Sequence, residues 1–255
     1  MRKQDGFVEK KTPPPRRVFL SAEWRDLVML NYQVEPGLLK PHVPPGSDLD
    51  SFQGKTFISL VGFRFLRSRL FGSCRILLHS DFDEVNLRFY VRRHTEETER
   101  RGVVFIREIV PKRAVACVAR LVYGENYVRF PMRHLIEAHG SQRTAQYQWQ
   151  MHRRWSGLFV RAAGAPLLPE ENSLEQSITE HHWGYALRRH STLEYEVAHV
   201  PWRVWNSSEA GFEGDGEATY GPEFGRVLAR CPDSAFLADG SPVIVFTGRK
   251  IESDK

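Results

Sequence analysis

The chain has 255 residues, of which 41% are hydrophobic and 12% aromatic, enough to bury a substantial core and to argue against general disorder. Its formal net charge of +5 comes mostly from arginine, with only eight lysines in the chain. The arginines are dispersed among acids, with no long basic run and no nucleic-acid motif, so nucleic acid is not expected as a partner.

The first stretch, "MRKQDGFVEKKTPPPRR", is charged and proline-rich and lacks the apolar core of a signal peptide. Residues 1–17 are therefore expected to be a loose leader, and 18–255 one domain. "VFLSAEWRDLVMLNYQV" predicts a helical turn followed by an extended run. Pro36 suits the first turn of a helix that Pro41, Pro44 and Pro45 keep short. "TFISLVGFRFL" predicts a strand, and "HSDFDEVNLRFYVRRH" a second. In that second strand Val85, Leu87, Phe89 and Val91 share one face, and Glu84, Asn86, Arg88 and Tyr90 the other. Taken alone, alternation reads the polar face as wet, because antiparallel sheets commonly expose one side. "GVVFIREIV" predicts another strand. "KRAVACVARLVYG" changes to helical spacing, with Gly124 as a C-terminal cap.

Further along, "AQYQWQMHRRWSGLF" predicts a strand with Ala145, Tyr147, Trp149 and Met151 on one side and Gln146, Gln148, Gln150 and His152 on the other. "ENSLEQSITEHHW" predicts a helix capped by Asn172 or Ser173. "YALRRHSTLEYEVAHV" and "RVWN" predict strands, with an edge or a bend at Pro201. "GFEGDGEATYGPEFG" reads as a flexible loop, "PEFGRVLARC" as a short helix and "SPVIVFTGRKI" as a closing strand. Many strands with few short helices predict an α+β protein built on a large antiparallel sheet.

Few motifs carry chemistry by themselves. Cys74, Cys117 and Cys231 are odd in number and widely spaced, which supports neither a disulfide framework nor a thiolate zinc site. Adjacent His181 and His182, with His190, invite a metal reading. Neighbouring side chains on a helix point about 100° apart, however, and no carboxylate–histidine metal motif is present, so no metal is expected. There is no G-x-S-x-G, no P-loop and no Rossmann pattern, and no cofactor is implied. No apolar run reaches the length of a membrane span, so a soluble cytoplasmic protein with no membrane partner is the simplest expectation.

"VARLVYGENYVRFPM" (118–132) resembles the lysine motif of acetoacetate decarboxylases, approximately G-R-E-x-x-G-x-P-K-K. Matching Arg120 to its arginine and Gly124 to its second glycine puts Tyr127 where that family has the lysine that forms a Schiff base. More of the chain is similar to the YqjF-like proteins (domain of unknown function 2071), a family of the acetoacetate decarboxylase-like superfamily. The matching segments are Trp24 to Leu27, Val34 to Gly46, Asp50 to Phe57, "FDEVNLRFYV" for the family's E-x-N-[LV]-R-x-Y-V strand, and "GVVFIREI". The resemblance covers residues 18–250. It implies a curved antiparallel β-barrel with flanking helices around a central cavity. In that fold Glu84, Asn86, Arg88 and Tyr90 would face inward, Glu84 standing where the decarboxylases place a glutamate near the lysine.

The resemblance thus points to a protein that binds a small organic molecule, a carboxylate in particular, or to an enzyme that does not use a Schiff base. Glu84 and Tyr127 would be the acid–base residues, and Asn86, Arg88, Tyr90 and Arg120 the ligand-binding ones. A phenol cannot condense with a ketone, so a true acetoacetate decarboxylase is not expected. Two alternatives stay open: a Schiff-base decarboxylase or aldolase-type enzyme using Lys112 of "REIVPK", and a structural or interaction protein whose cavity is filled. Oligomeric state is open as well, although the decarboxylases form homo-oligomers.

Overall fold

Both faces of the strand β5 (Phe82–His94) are buried: every residue from Glu84 to Val91 is sheltered from solvent. An amphipathic strand buried on both sides needs an apolar layer against one face and an enclosed polar space against the other, and the rest of the fold supplies them. The computed structural model describes residues 16–71, 74–75, 80–117, 124–188 and 191–251.

β5 lies between β3 (Thr56–Leu70) and β6 (Glu99–Val110), and β3 pairs in turn with β1 (Val18–Val34), all antiparallel. β1 also pairs with the long β14 (Ser234–Phe246). On the other side β6 pairs in parallel with β11 (Trp183–Arg188), which forms a hairpin with β12 (Ser191–His199). β12 then pairs with β14 over Val197–His199. The pairings β12-β11-β6-β5-β3-β1-β14-β12 thus close on themselves, and the curved sheet encloses a space. β7 (Tyr127–Arg129) is added alongside β6.

A second layer runs from β14 through β13 (Val204–Glu213), β10 (Arg154–Ala163) and β9 (Gln142–Met151) to β8 (Met132–His139). Tyr147, Trp149, Leu158 and Val160 of this layer pack with Val85, Leu87, Phe89 and Val91. The helices α4 (Gly216–Tyr220) and α5 (Pro222–Leu228) add Tyr220, Phe224 and Leu228 to the same cluster. The apolar face of β5 is therefore covered mainly by other strands.

Local sequence explains most elements, and three expectations need correction. Residues 18–34 are extended throughout, with no helical turn; a bulge between Arg25 and Val28, with Asp26 at φ 55°, interrupts the strand's regular alternation there. "AQYQWQMHRRWSGLF" is two strands, β9 and β10, folded at His152 and Arg153, whose φ values of 47° and 63° make the tight turn. The glycine-rich stretch read as a loop forms α4, capped by Asp215 accepting from the Ala218 amide, and the start of α5. The short helix α1 (Pro36–Leu39) starts on Pro36 as expected, and α3 (Leu174–Thr179) is capped by Ser173. Residues 113–117 form a helix, α2, and the rest of the segment expected to be helical, 118–123, lies outside the described residues, as do residues 1–15 of the expected leader 1–17. No helix among the described residues is long and apolar enough to cross a membrane.

Candidate functional site

The closed strands surround a cavity of about 170 Å³. A buried water needs only about 10–15 Å³, so a small organic molecule fits, and the cavity is not filled by the protein's own side chains. Part of the wall is aromatic, with Trp24, Phe63, Phe65 and Trp202 in ring contact. Another part is polar, and sheet register builds it. Asn86 of β5 pairs with Glu108 of β6, which pairs with Tyr127 of β7, so three polar side chains stand abreast on neighbouring strands. Glu84 lies two residues along β5 on the same face, and Glu125 and Tyr195 complete the group.

A bulge makes this register work. Asn86 pairs with Glu108 and Leu87 with Arg107, but Arg88 pairs with Phe105, so Ile106 is the extra residue of β6. Strict alternation from Phe105 would turn Arg107 inward and Glu108 outward. The bulge reverses both: Glu108 lines the cavity, and Arg107 donates to the Thr219 carbonyl oxygen on α4.

The carboxyl of Glu84 accepts from Tyr127 Oη at 3.2 Å and from Asn86 Nδ2 at 3.1 Å. Burial pushes its pKa up to about 7, against the opposing pull of these hydrogen bonds and of Arg88. Burial also raises Glu108 well above the carboxylate range, and the charges of Glu125 and Glu84 raise it further. Glu125, half-buried and bonded by the Tyr195 hydroxyl, is pushed up to about 8, by burial first and by the charge of Glu84. The Tyr127 phenol is held neutral by burial and by the three acids around it. This part of the cavity can therefore store, donate and accept protons near neutral pH.

Arg88 lines the same cavity, 7% exposed, with no hydrogen bond or ion pair among the described residues. Near it, His181 packs against the Tyr90 ring, centroids 4.5 Å apart and planes tilted by 37°, and is bonded to Asp50. Six of the eleven buried side-chain atoms without a partner among the described residues belong to cavity-lining residues, Arg88 Nε, Asn86 Oδ1, Glu108 Oε2 and His181 Nδ1 among them. Buried polar atoms are nearly always hydrogen-bonded, so this concentration sets the cavity wall apart from the rest of the interior.

Of the residues singled out in the sequence, Glu84, Asn86, Arg88 and Tyr127 meet at this cavity. Tyr90 does not line it: its hydroxyl lies 2.5 Å from Ser59 Oγ, which donates to Asn31 Oδ1, and the ring packs against His181. Arg120 and His190 lie outside the described residues. Lys112 Nζ donates to the Asp81 carbonyl oxygen at 2.7 Å, and no lysine among the described residues lines the cavity. No group of three or more metal-ligating side chains is placed to hold an ion among the described residues. Sequence reasoning missed Glu108, Glu125 and Tyr195, and weighed His181 only as half of a metal pair. An acid inside the apolar run "GVVFIREIV" was a signal for Glu108, but the bulge hid its direction.

The family described as DUF2071, uncharacterized conserved protein, matches residues 21–242. The uncharacterized protein YqjF of Bacillus subtilis (strain 168) is 24% identical over 210 residues, covering 80% of this chain and 82% of its own. The crystal structure of acetoacetate decarboxylase from Legionella pneumophila superposes with a TM-score of 0.67 at 12% identity, covering 100% of this chain and 98% of that one. The enduracididine biosynthesis enzyme MppR, complexed with pyruvate, gives a TM-score of 0.62 at 14% identity over 97% of this chain and 95% of its own. At such identities the likeness is one of fold.

Proposed function

This chain belongs to the DUF2071 family and has the fold of acetoacetate decarboxylase-like enzymes, and from that premise we propose that it binds a small organic carboxylate in the cavity and moves protons on it without a covalent imine. The observation that carries this reading is Arg88, a buried guanidinium facing the cavity with no hydrogen bond or close ion pair among the described residues. A buried cation without a hydrogen-bonded counter-charge is costly, and a guanidinium fork matches the two oxygens of a carboxylate. MppR, on the same fold, is complexed with pyruvate, a small carboxylate, which adds support.

In this reading Arg88 holds the ligand carboxylate and the acid cluster meets the far end of the ligand. Glu84 is the acid–base group, because a carboxyl with its pKa near 7 exchanges protons readily at neutral pH. Asn86 and Tyr127 hold that carboxyl by hydrogen bonds, and Tyr127 also presents a neutral phenol to the ligand. The test is calorimetric titration of the purified protein and of Arg88→Met with a panel of short carboxylates, preceded by native mass spectrometry for a retained small molecule. The expected result is micromolar to millimolar binding lost in Arg88→Met. Equal binding by both proteins would remove Arg88 from the site and this reading with it.

A further inference from the structure

Near Arg88 a second polar side chain lines the cavity. His181 lies between the main cavity and a small pocket lined by Asp50 and Arg101, and its side chain is 2% exposed. Its Nε2 is 3.3 Å from Asp50 Oδ2. The same carboxylate oxygen accepts from Arg101 Nε at 2.7 Å, while Asp50 Oδ1 accepts from the Ser51 amide. Arg101 is in turn fixed by donating to Ser177 Oγ at 2.9 Å.

The tautomer follows from these contacts. An Asp50 carboxylate paired with a guanidinium and an amide is ionised and can only accept, so the proton of the imidazole sits on Nε2. Nδ1 is left as a bare acceptor, and it has no partner among the described residues. Arg88 adds only donors here, with its guanidinium 5.8 Å from the Tyr90 ring that His181 packs against. Fixed donors and one fixed acceptor in the same part of a cavity select a ligand that offers both an anion and a hydrogen-bond donor beside it.

Resting on the carboxylate reading above, we propose that His181 is a specificity residue whose Nδ1 accepts from a hydroxyl next to the ligand carboxylate. The ligand is then a 2-hydroxy carboxylic acid, with an apolar or aromatic substituent against Trp24, Phe63 and Trp202. A plain carboxylic acid leaves Nδ1 unpaired. A 2-oxo acid sets a carbonyl oxygen against its lone pair.

The experiment is to titrate the purified protein with 3-phenyllactate and with 3-phenylpropionate, which differ only in the hydroxyl. Binding of phenyllactate about tenfold tighter is expected from one added hydrogen bond to a buried acceptor. His181→Phe removes the acceptor while Asp50 keeps its Arg101 partner, so it should bind both acids alike, at the affinity the unaltered protein has for phenylpropionate. Nitrogen-15 NMR of the unaltered protein, which needs no variant to fold, should give the shift of an unprotonated Nδ1 that moves on adding phenyllactate only. Equal affinity for both acids would overturn the hydroxyl assignment and leave the carboxylate reading intact. A preference that survives His181→Phe would remove His181 from the contact, and binding of neither acid would overturn both readings.

Discussion

Glu84 shows how one side chain changes meaning with its surroundings. In the sequence it belongs to a polar row that would ordinarily face water. In the fold it is buried beside Tyr127 and Asn86, with its pKa raised from 4.5 to about 7. A carboxyl raised in this way binds its proton more tightly in the folded state, so its contribution to stability is full below pH 4.5 and is lost as pH rises toward 7. Glu125 extends the window to about pH 8. His181 and His199 act with the opposite sign: burial lowers both to about 4, so they cost stability as pH falls below 6.5 toward 4. Above pH 6.5 only the carboxyls remain, and stability should decline toward pH 8. Urea unfolding across that interval should show the decline, with a shallower slope in Glu84→Gln; an unchanged slope would place the titration elsewhere. At Tyr127, where the resembling family has a lysine, the chemistry is as simple. A phenol forms no imine, so acetoacetate with borohydride should leave no adduct in the intact mass. A stoichiometric adduct that disappears in Lys112→Ala would restore the Schiff-base alternative.

At the scale of the element, β5 is the clearest case. Alternation in the sequence separates its two faces correctly, and the structure packs the apolar one between sheet layers. Leu87 is wholly buried there, so Leu87→Ala should cost about 2–5 kcal/mol, measurable by chemical denaturation. A loss under about half a kcal/mol would mean the face tolerates a cavity that a packed core does not. β6 is the instructive contrast. Its sequence gives no sign of the extra residue at Ile106, because a bulge is stabilised by what it lets neighbouring strands and helices do. Here it frees Arg107 to reach α4 and turns Glu108 toward Tyr127.

For the molecule as a whole, the closed path of strands is tied at Glu194, whose side chain is fully buried. It receives Arg93 from β5 at 3.2 Å, Arg100 from β6 at 2.7 Å and Arg249 from β15 (Arg249–Ile251) at 2.7 Å, with the Tyr185 hydroxyl at 3.1 Å. One carboxylate thus links β5, β6, β11, β12 and β15. Removing a partner from a buried ion pair costs about 3–5 kcal/mol, and Arg249 is largely exposed, so Glu194→Gln should fall at the lower end, near 3 kcal/mol. A fall in the urea midpoint equivalent to less than about 1 kcal/mol would show that the arginines solvate themselves once the acid is gone.

By itself the sequence determined the strand-rich α+β class, a helix start at Pro36, a helix cap at Asn172 or Ser173, the two faces of β5, and the pairing of Glu84, Asn86 and Arg88 on one of them. These are local properties: period, cap chemistry and hydrophobic pattern act within a few residues and leave a readable mark. The family motifs added that the polar face turns inward, which no single strand can say of itself. Tertiary structure alone decided that Glu108, Glu125 and Tyr195 join Tyr127, since their meeting depends on one bulge and on parallel pairing between segments far apart in the chain. It also decided that Tyr90 stops at Ser59, and that His181, which in the sequence looks like half of a metal pair, is held by Asp50 from 131 residues away. Contacts of that separation are set by the closure of the sheet, and no stretch of the sequence short enough to read by pattern contains them.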